Sequence, residues 1–127
     1  MMIEHMALYT RDLDRSSAFY QTYLDGTEDK QYENPQTGLK TRFISFADGA
    51  RLELMTRPDL EDGERSRLWT GWAHLAFKAG TRENVDALTE RLRADGYEIV
   101  SGPRVTGDGY YESCVLDPDG NMIEITA

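Results

Sequence analysis

The segments "EHMALYTRDLDRSSAFYQTYLDG" (residues 4–26) and "AHLAFKAGTRENVDALTERLRADG" (residues 73–96) decide the fold, because one can be laid over the other. Each opens with His, an apolar residue and Ala after one leading residue, passes a polar turn, enters a helical pattern and stops at Asp-Gly. From His5 to Gly26 is 21 positions, and from His74 to Gly96 is 22. Such a repeat marks two copies of one supersecondary unit. In the first copy Ser16, Phe19, Tyr20, Tyr23 and Leu24 follow the i, i+3, i+4, i+7, i+8 spacing of one helix face. Asp12 is its expected N-cap and Gly26 its expected left-handed stop. In the second copy Thr81 caps, Val85, Leu88 and Leu92 form the stripe, and Gly96 ends the helix.

Strand-like runs follow each helix. The first half offers a short edge around residues 28–32, then "TRFISFA" (41–47) and "RLELM" (51–55), split by an Asp48-Gly49 turn. The second offers "YEIVSG" (97–102), "YYESCVL" (110–116) and "NMIEIT" (121–126), with the turn signal "DPDG" (117–120) before the last. Each half therefore reads β-α-β-β-β. The pattern predicts one α+β domain over residues 1–127, with half-modules at about 1–56 and 72–127. A polar connector, "TRPDLEDGERSRLWTG" (56–71), joins them and is expected to be partly mobile. "GPRVTGDG" (102–109) is a second flexible candidate.

Composition narrows the function. With 14 basic against 23 acidic side chains and a formal charge of −9, the chain lacks the clustered cations that nucleic acid requires. No apolar run approaches the roughly 20 residues of a membrane span, and "MMIEHMALYT" lacks the basic start and apolar block of a signal peptide. The single Cys114 cannot form an intrachain disulfide and fits a reducing compartment, so a cytoplasmic location is expected.

Strand alternation picks out four residues. Met6 and Leu8 share one face of the first strand while His5 and Ala7 share the other; Leu75 and Phe77 oppose His74 and Ala76 in the same way. Glu53 stands between Leu52 and Leu54, and Glu124 between Ile123 and Ile125. The aliphatic faces suit packing against helices, so each half presents one His from its first strand and one Glu from its last on the opposite face. His5 to Glu53 is 48 positions and His74 to Glu124 is 50. A lone strand His is commonly a hydrogen-bonded structural residue, and a lone outward Glu is commonly solvated. Two of each at matching points of a duplicated unit point instead to an N2O2 metal site.

At His5, Glu53, His74 and Glu124 the sequence resembles the glyoxalase/bleomycin resistance family, also called the vicinal oxygen chelate superfamily. "HMALYTRDLDRSSAFY" is similar to that family's opening strand and helix, and "LDPDGNMIEI" to its closing hairpin. The resemblance covers essentially the whole chain. It implies two paired βαβββ modules forming a curved mixed sheet around one divalent ion, and commonly a homodimer. The ligand order His, Glu, His, Glu is most similar to glyoxalase I (lactoylglutathione lyase). It implies a metal-dependent lyase or isomerase that moves a proton through a metal-chelated enediolate on a small α-hydroxycarbonyl substrate. Glu124 is the expected base, with Glu53 second, and the ion is one of Ni, Zn, Co, Fe or Mn.

Two positions depart from the glutathione-dependent pattern. Tyr9 stands where that pattern has an Arg, four residues after the first ligand His, and "MTRP" with Arg57 stands where it has an Asn. Both normally hold the glutathione end of the substrate. Arg57, Tyr9 and Tyr111 are the substrate-binding candidates, with Tyr110 beside the last; a surface Arg and ordinary strand aromatics are the alternative readings. Two other functions stay open: a non-catalytic small-molecule-binding protein of the resistance type, and a metal-dependent dioxygenase.

Overall fold

In the computed structural model, which describes residues 1–63 and 70–127, the duplicated segments become matching units. In the first, β1 (Met6–Tyr9) leads to helix α1 (Leu13–Leu24), then β2 (Thr27–Glu28), β3 (Tyr32–Glu33), β4 (Lys40–Ser45) and β5 (Arg51–Thr56). In the second, β6 (Leu75–Lys78) leads to α2 (Arg82–Ala94), then β7 (Ile99–Val105), β8 (Tyr111–Leu116) and β9 (Met122–Thr126). The chain divides into compact units at Met1–Gly63 and Glu64–Ala127, each with its own mixed sheet. Strand orders are β1-β5-β4-β2, with β3 also on β4, and β6-β9-β8-β7. The parallel pairs are β1 with β5 and β6 with β9; the other pairings are antiparallel. The architecture is α+β, as the repeat predicts. Residues 64–69 of the connector lie outside the described residues, so the expectation of mobility there is not addressed.

One strand differs from expectation. The edge expected around residues 28–32 is two short strands, β2 against Ile44–Ser45 and β3 against Lys40–Thr41. Between them Asp29 N–H still donates to Phe43 O at 2.8 Å.

Local chemistry explains the helix limits. The Asp12 side chain accepts from Arg15 N and the Thr81 side chain from Asn84 N, so both expected N-caps hold. The α1 stop is a correction. Asp25, not Gly26, takes the left-handed conformation, at φ 55°. Gly26 is needed for space instead: a Cβ there would meet Ile44 Cγ2 at 2.3 Å. Gly96 is the reverse case, at φ 90° with nothing within 4 Å of an added Cβ. Tyr97 N–H then closes onto Leu92 O at 2.9 Å.

Each helix covers the aliphatic face of its own sheet. Phe19, Tyr20 and Leu24 of α1 are buried together with Ile44, Leu52 and Leu54; Val85 and Leu92 of α2 with Val115, Ile123 and Ile125. A buried hydroxyl pair accompanies each apolar core, Thr10 with Ser16 at 2.7 Å and Thr89 with Ser113 at 2.6 Å. Pairing satisfies groups that would otherwise carry a desolvation penalty.

The "DPDG" turn fixes register in the second unit. Asp117, only 4% exposed, accepts from Asp119 N at 2.9 Å, Asn121 N at 2.8 Å and Asn121 Nδ2 at 2.8 Å. This turn aligns Leu116 with Met122, and so Cys114 with Glu124. A slip by one residue would carry Glu124 to the helix side. Among the described residues no helix is long and apolar enough to cross a membrane.

Candidate functional site

The two parallel strand pairs place the four acid and imidazole residues in the same way. Ala7 lies opposite Glu53 in β1/β5, and Ala76 opposite Glu124 in β6/β9. His5 and His74 each stand one residue before their strand and two before that alanine, on the face away from the helix. His5 Nε2 is 3.5 Å from Glu53 Oε2, and His74 Nε2 is 3.1 Å from Glu124 Oε2. The imidazole side chains are 37% and 40% exposed and the carboxylates 19% and 15%, so solvent reaches the rings while most of each acid is covered. Each pair offers one nitrogen and one carboxylate oxygen at close range, a donor set that fits a divalent transition ion.

Surroundings differ between the units. In the first, His5 Nδ1 is hydrogen-bonded to the Glu4 carboxylate, whose other oxygen accepts from Arg51. Those hydrogen bonds, led by the one from His5, hold the Glu4 carboxyl below its ordinary range. The Arg51 guanidinium lies 3.9 Å over the Phe43 ring, and His5 meets the same ring edge-on with centroids 5.3 Å apart. Phe43 is the cross-strand neighbour of Glu53, so acid, aromatic and imidazole share one face.

In the second unit, β8 brings more acid to Glu124. Ligand atoms of Glu112, Cys114 and Glu124 lie within 4.8 Å of one another. Burial raises the Glu112 carboxyl above its ordinary value, and hydrogen bonding to Glu124 and its charge add to the shift. Arg104, 3.4 Å from Glu112, acts in the opposite sense. Burial also pushes the Cys114 thiol up. Both shifts favour protonated forms, and a protonated acid or thiol must lose its proton to ligate a metal. Alternation along "YESCVL" carries the signal that places Glu112 and Cys114 beside Glu124. Glu4 and Arg51 are 47 positions apart, and only the fold joins them.

The substrate-binding candidates fall differently. Tyr9, at the end of β1, is 44% exposed and lies near Arg57, whose guanidinium pKa is raised first by Asp59 and then by Tyr9. Arg57 donates from NH2 to Asp59 Oδ2 at 2.7 Å, and from Nε to the other oxygen of that carboxylate. Its guanidinium is therefore already matched by an acid two residues away. Tyr111 is a correction. Its hydroxyl donates to Asp86 on α2 at 2.6 Å, and Arg82 lies 4.9 Å over its ring. It has the strand parity of Ser113 and Val115, so it faces the helix and not Glu124. Tyr110 precedes β8 and is 59% exposed.

Comparison with known proteins shows the family. Residues 2–125 match the model of the Glyoxalase/Bleomycin resistance protein/Dioxygenase superfamily. The chain is 34% identical to the uncharacterized protein YqjT of Bacillus subtilis over 98% of each chain. It is 33% identical to a lactoylglutathione lyase of Haemophilus influenzae, covering 98% of this chain and 90% of that one. Among solved structures it is similar to a variant of the fosfomycin resistance protein FosX from Listeria monocytogenes, complexed with Mn(II) and 1S,2S-dihydroxypropylphosphonic acid. There the TM-score is 0.77 and the identity 26%, over 99% of this chain and 91% of that one.

Proposed function

Given that this chain belongs to the Glyoxalase/Bleomycin resistance protein/Dioxygenase superfamily, we propose that it is a divalent-metal-dependent lyase or isomerase acting on a small α-hydroxycarbonyl compound. The observation that carries this reading is the matched His–Glu pair in each unit, 3.5 Å and 3.1 Å apart. His5, Glu53, His74 and Glu124 are the proposed ligands of one ion, Ni, Zn, Co, Fe or Mn. The bound ion supplies Lewis-acid polarisation of substrate oxygens.

The chain's own groups do the rest. Glu124 takes the proton from the hydroxyl-bearing carbon next to the carbonyl. The C–H electron pair forms a C=C bond while the C=O π pair moves onto the carbonyl oxygen, and the hydroxyl proton passes to that oxygen. The same carboxyl returns the proton at the adjacent carbon, so the reaction is a redox-neutral rearrangement. Glu112 stands beside Glu124, and burial first and Glu124 second raise its carboxyl above the ordinary value. Glu53 has no such companion among the described acids and is assigned to holding the ion. Arg57 and Tyr9 are proposed to meet a polar substrate group, with Asp59 limiting the charge that Arg57 can offer. Neither reproduces the glutathione contacts of the related lyases, so the substrate is proposed to be something other than a glutathione hemithioacetal. A homodimer in a cytoplasmic setting completes the reading, with the four ligands drawn from one chain or shared between two.

The similarity to FosX favours a second reading, a resistance-type protein that binds an antibiotic-like oxyanion. One experiment separates them. The metal-loaded protein is incubated with a panel of hydroxycarbonyls in D2O, and deuterium uptake at carbon is followed by NMR. The isomerase reading expects uptake with wild type and a loss of roughly 100-fold or more with Glu124→Gln, the range of a removed general base. A filled metal site with no uptake from any member of the panel transfers the assignment to the binding protein.

A further inference from the structure

We propose that Glu4, braced by Arg51, is a positioning residue that fixes His5 with its proton on Nδ1 and keeps Nε2 bare toward Glu53. The inference rests on reading His5 as a ligand. A neutral imidazole carries one proton, and the group touching one ring nitrogen decides which nitrogen is left as the donor. Here the group touching Nδ1 is the Glu4 carboxylate, which accepts and cannot donate when ionised. The proton therefore sits on Nδ1, and Nε2, 3.5 Å from Glu53, keeps the free lone pair.

Glu4 does not stand alone. One of its oxygens meets His5 and the other accepts from Arg51. Arg51 lies two residues before Glu53 on the same face of β5, and its guanidinium stacks at 3.9 Å on Phe43. Phe43 in turn receives the His5 ring edge-on, at an interplanar angle of 88°. Imidazole, carboxylate, guanidinium and phenyl ring thus close a cycle that sets both the tautomer and the plane of His5. Carboxylates behind metal-binding imidazoles act in this way, and losing one weakens metal binding by about 10- to 100-fold.

Among the described residues the second unit shows no such brace. Ala73 occupies the place of Glu4, and Met122, two residues before Glu124, the place of Arg51. His74 is therefore an internal control within the same molecule.

The test is a long-range 1H–15N correlation spectrum of the metal-free full chain, at a pH where both imidazoles are neutral. With two histidines, His74→Gln assigns the signals. Wild type is expected to show His5 protonated on Nδ1 with a bare Nε2. Glu4→Ala should move His5 toward the Nε2-protonated form, leave the His74 pattern unchanged and weaken Zn(II) binding about 10-fold or more. Glu4→Gln keeps an accepting oxygen and should restore most of both readouts. A His5 pattern identical in wild type and Glu4→Ala, or a wild-type proton on Nε2, overturns the proposal. Zn(II) titration that moves neither histidine's signals overturns the ligand reading instead, and does so independently of the tautomer result.

Discussion

The two units carry matching strand and helix arrangements and one close His–Glu pair each, at 3.5 Å and 3.1 Å, yet they surround that pair with different chemistry. In the first, the imidazole is held: Glu4, Arg51 and Phe43 contact or brace His5, while Glu53 has its cross-strand aromatic beside it. In the second, the carboxylate is crowded: Glu124 has Glu112 and Cys114 at close range. The aliphatic positions under the helices must all fill a core and stay alike. The open face is free of that demand, so equivalent residues there differ in role. On this reading the first half fixes a ligand and the second half manages a proton.

Metal binding tests the comparison most severely. His5→Ala and His74→Ala should each lower affinity by more than about 100-fold, beyond the loss from an outer partner, measured by metal content after equal exposure and dialysis. If one variant keeps the wild-type content, the ion belongs to the other half alone. The turns provide a smaller contrast. Asp117 accepts three hydrogen bonds while buried, whereas Asp48 accepts one, from Ala50 N at 3.0 Å, in an exposed turn. Asp117→Ala should lower unfolding free energy by about 1–3 kcal/mol and Asp48→Ala by less than about 0.5 kcal/mol, read from urea titrations. Equal losses would show that the second hairpin is no more dependent on its turn than the first.

The smallest effect concerns pH. Glu112 is raised from the ordinary glutamate value of 4.5 by burial first and by Glu124 second. Between the unfolded and folded values the folded protein binds more protons than the unfolded chain. Stability therefore falls as pH rises through that window, and the contribution present at lower pH is gone above the folded value. Metal-free wild type should lose thermal stability relative to Glu112→Gln as pH climbs from 4.5. Parallel curves for the two proteins would remove Glu112 from the account of the second unit.

Much of this arrangement is legible in the chain. The apolar stripe from Ser16 to Leu24 and the alternation in "LEL" and "IEI" carry the helix and face assignments, because period and burial are linked directly. Asp12 and Thr81 are readable as caps because their chemistry is local. At two positions the local signal and the structure part. Tyr111 has the parity of Ser113 and Val115, but its nearness to a glycine-rich segment suggested a substrate role. The Asp25-Gly26 stop follows a common pattern, yet the left-handed residue is Asp25, and Gly26 is required by the space that Ile44 on β4 takes beside it. The Glu4–Arg51 brace has no local signal. It depends on a parallel pairing across 47 positions and on rotamers that no periodicity encodes.

The paired Asp-Gly stops have one more consequence, and it concerns handedness. At Gly96 an L-side chain would meet no atom within 4 Å, and the obstacle is a backbone φ of 90° that L-residues disfavour. A D-alanine placed there by semisynthesis prefers that mirror-image region. It should stabilise the protein by about 0.4–1 kcal/mol by narrowing the unfolded ensemble, the usual gain when glycine gives way to a conformationally compatible residue. Position 26 offers no such opening, because its backbone is not left-handed and its neighbour Ile44 leaves no space for an L-methyl group. Two identical dipeptides, read alike in the sequence, would thus be told apart by the chirality of a single methyl group.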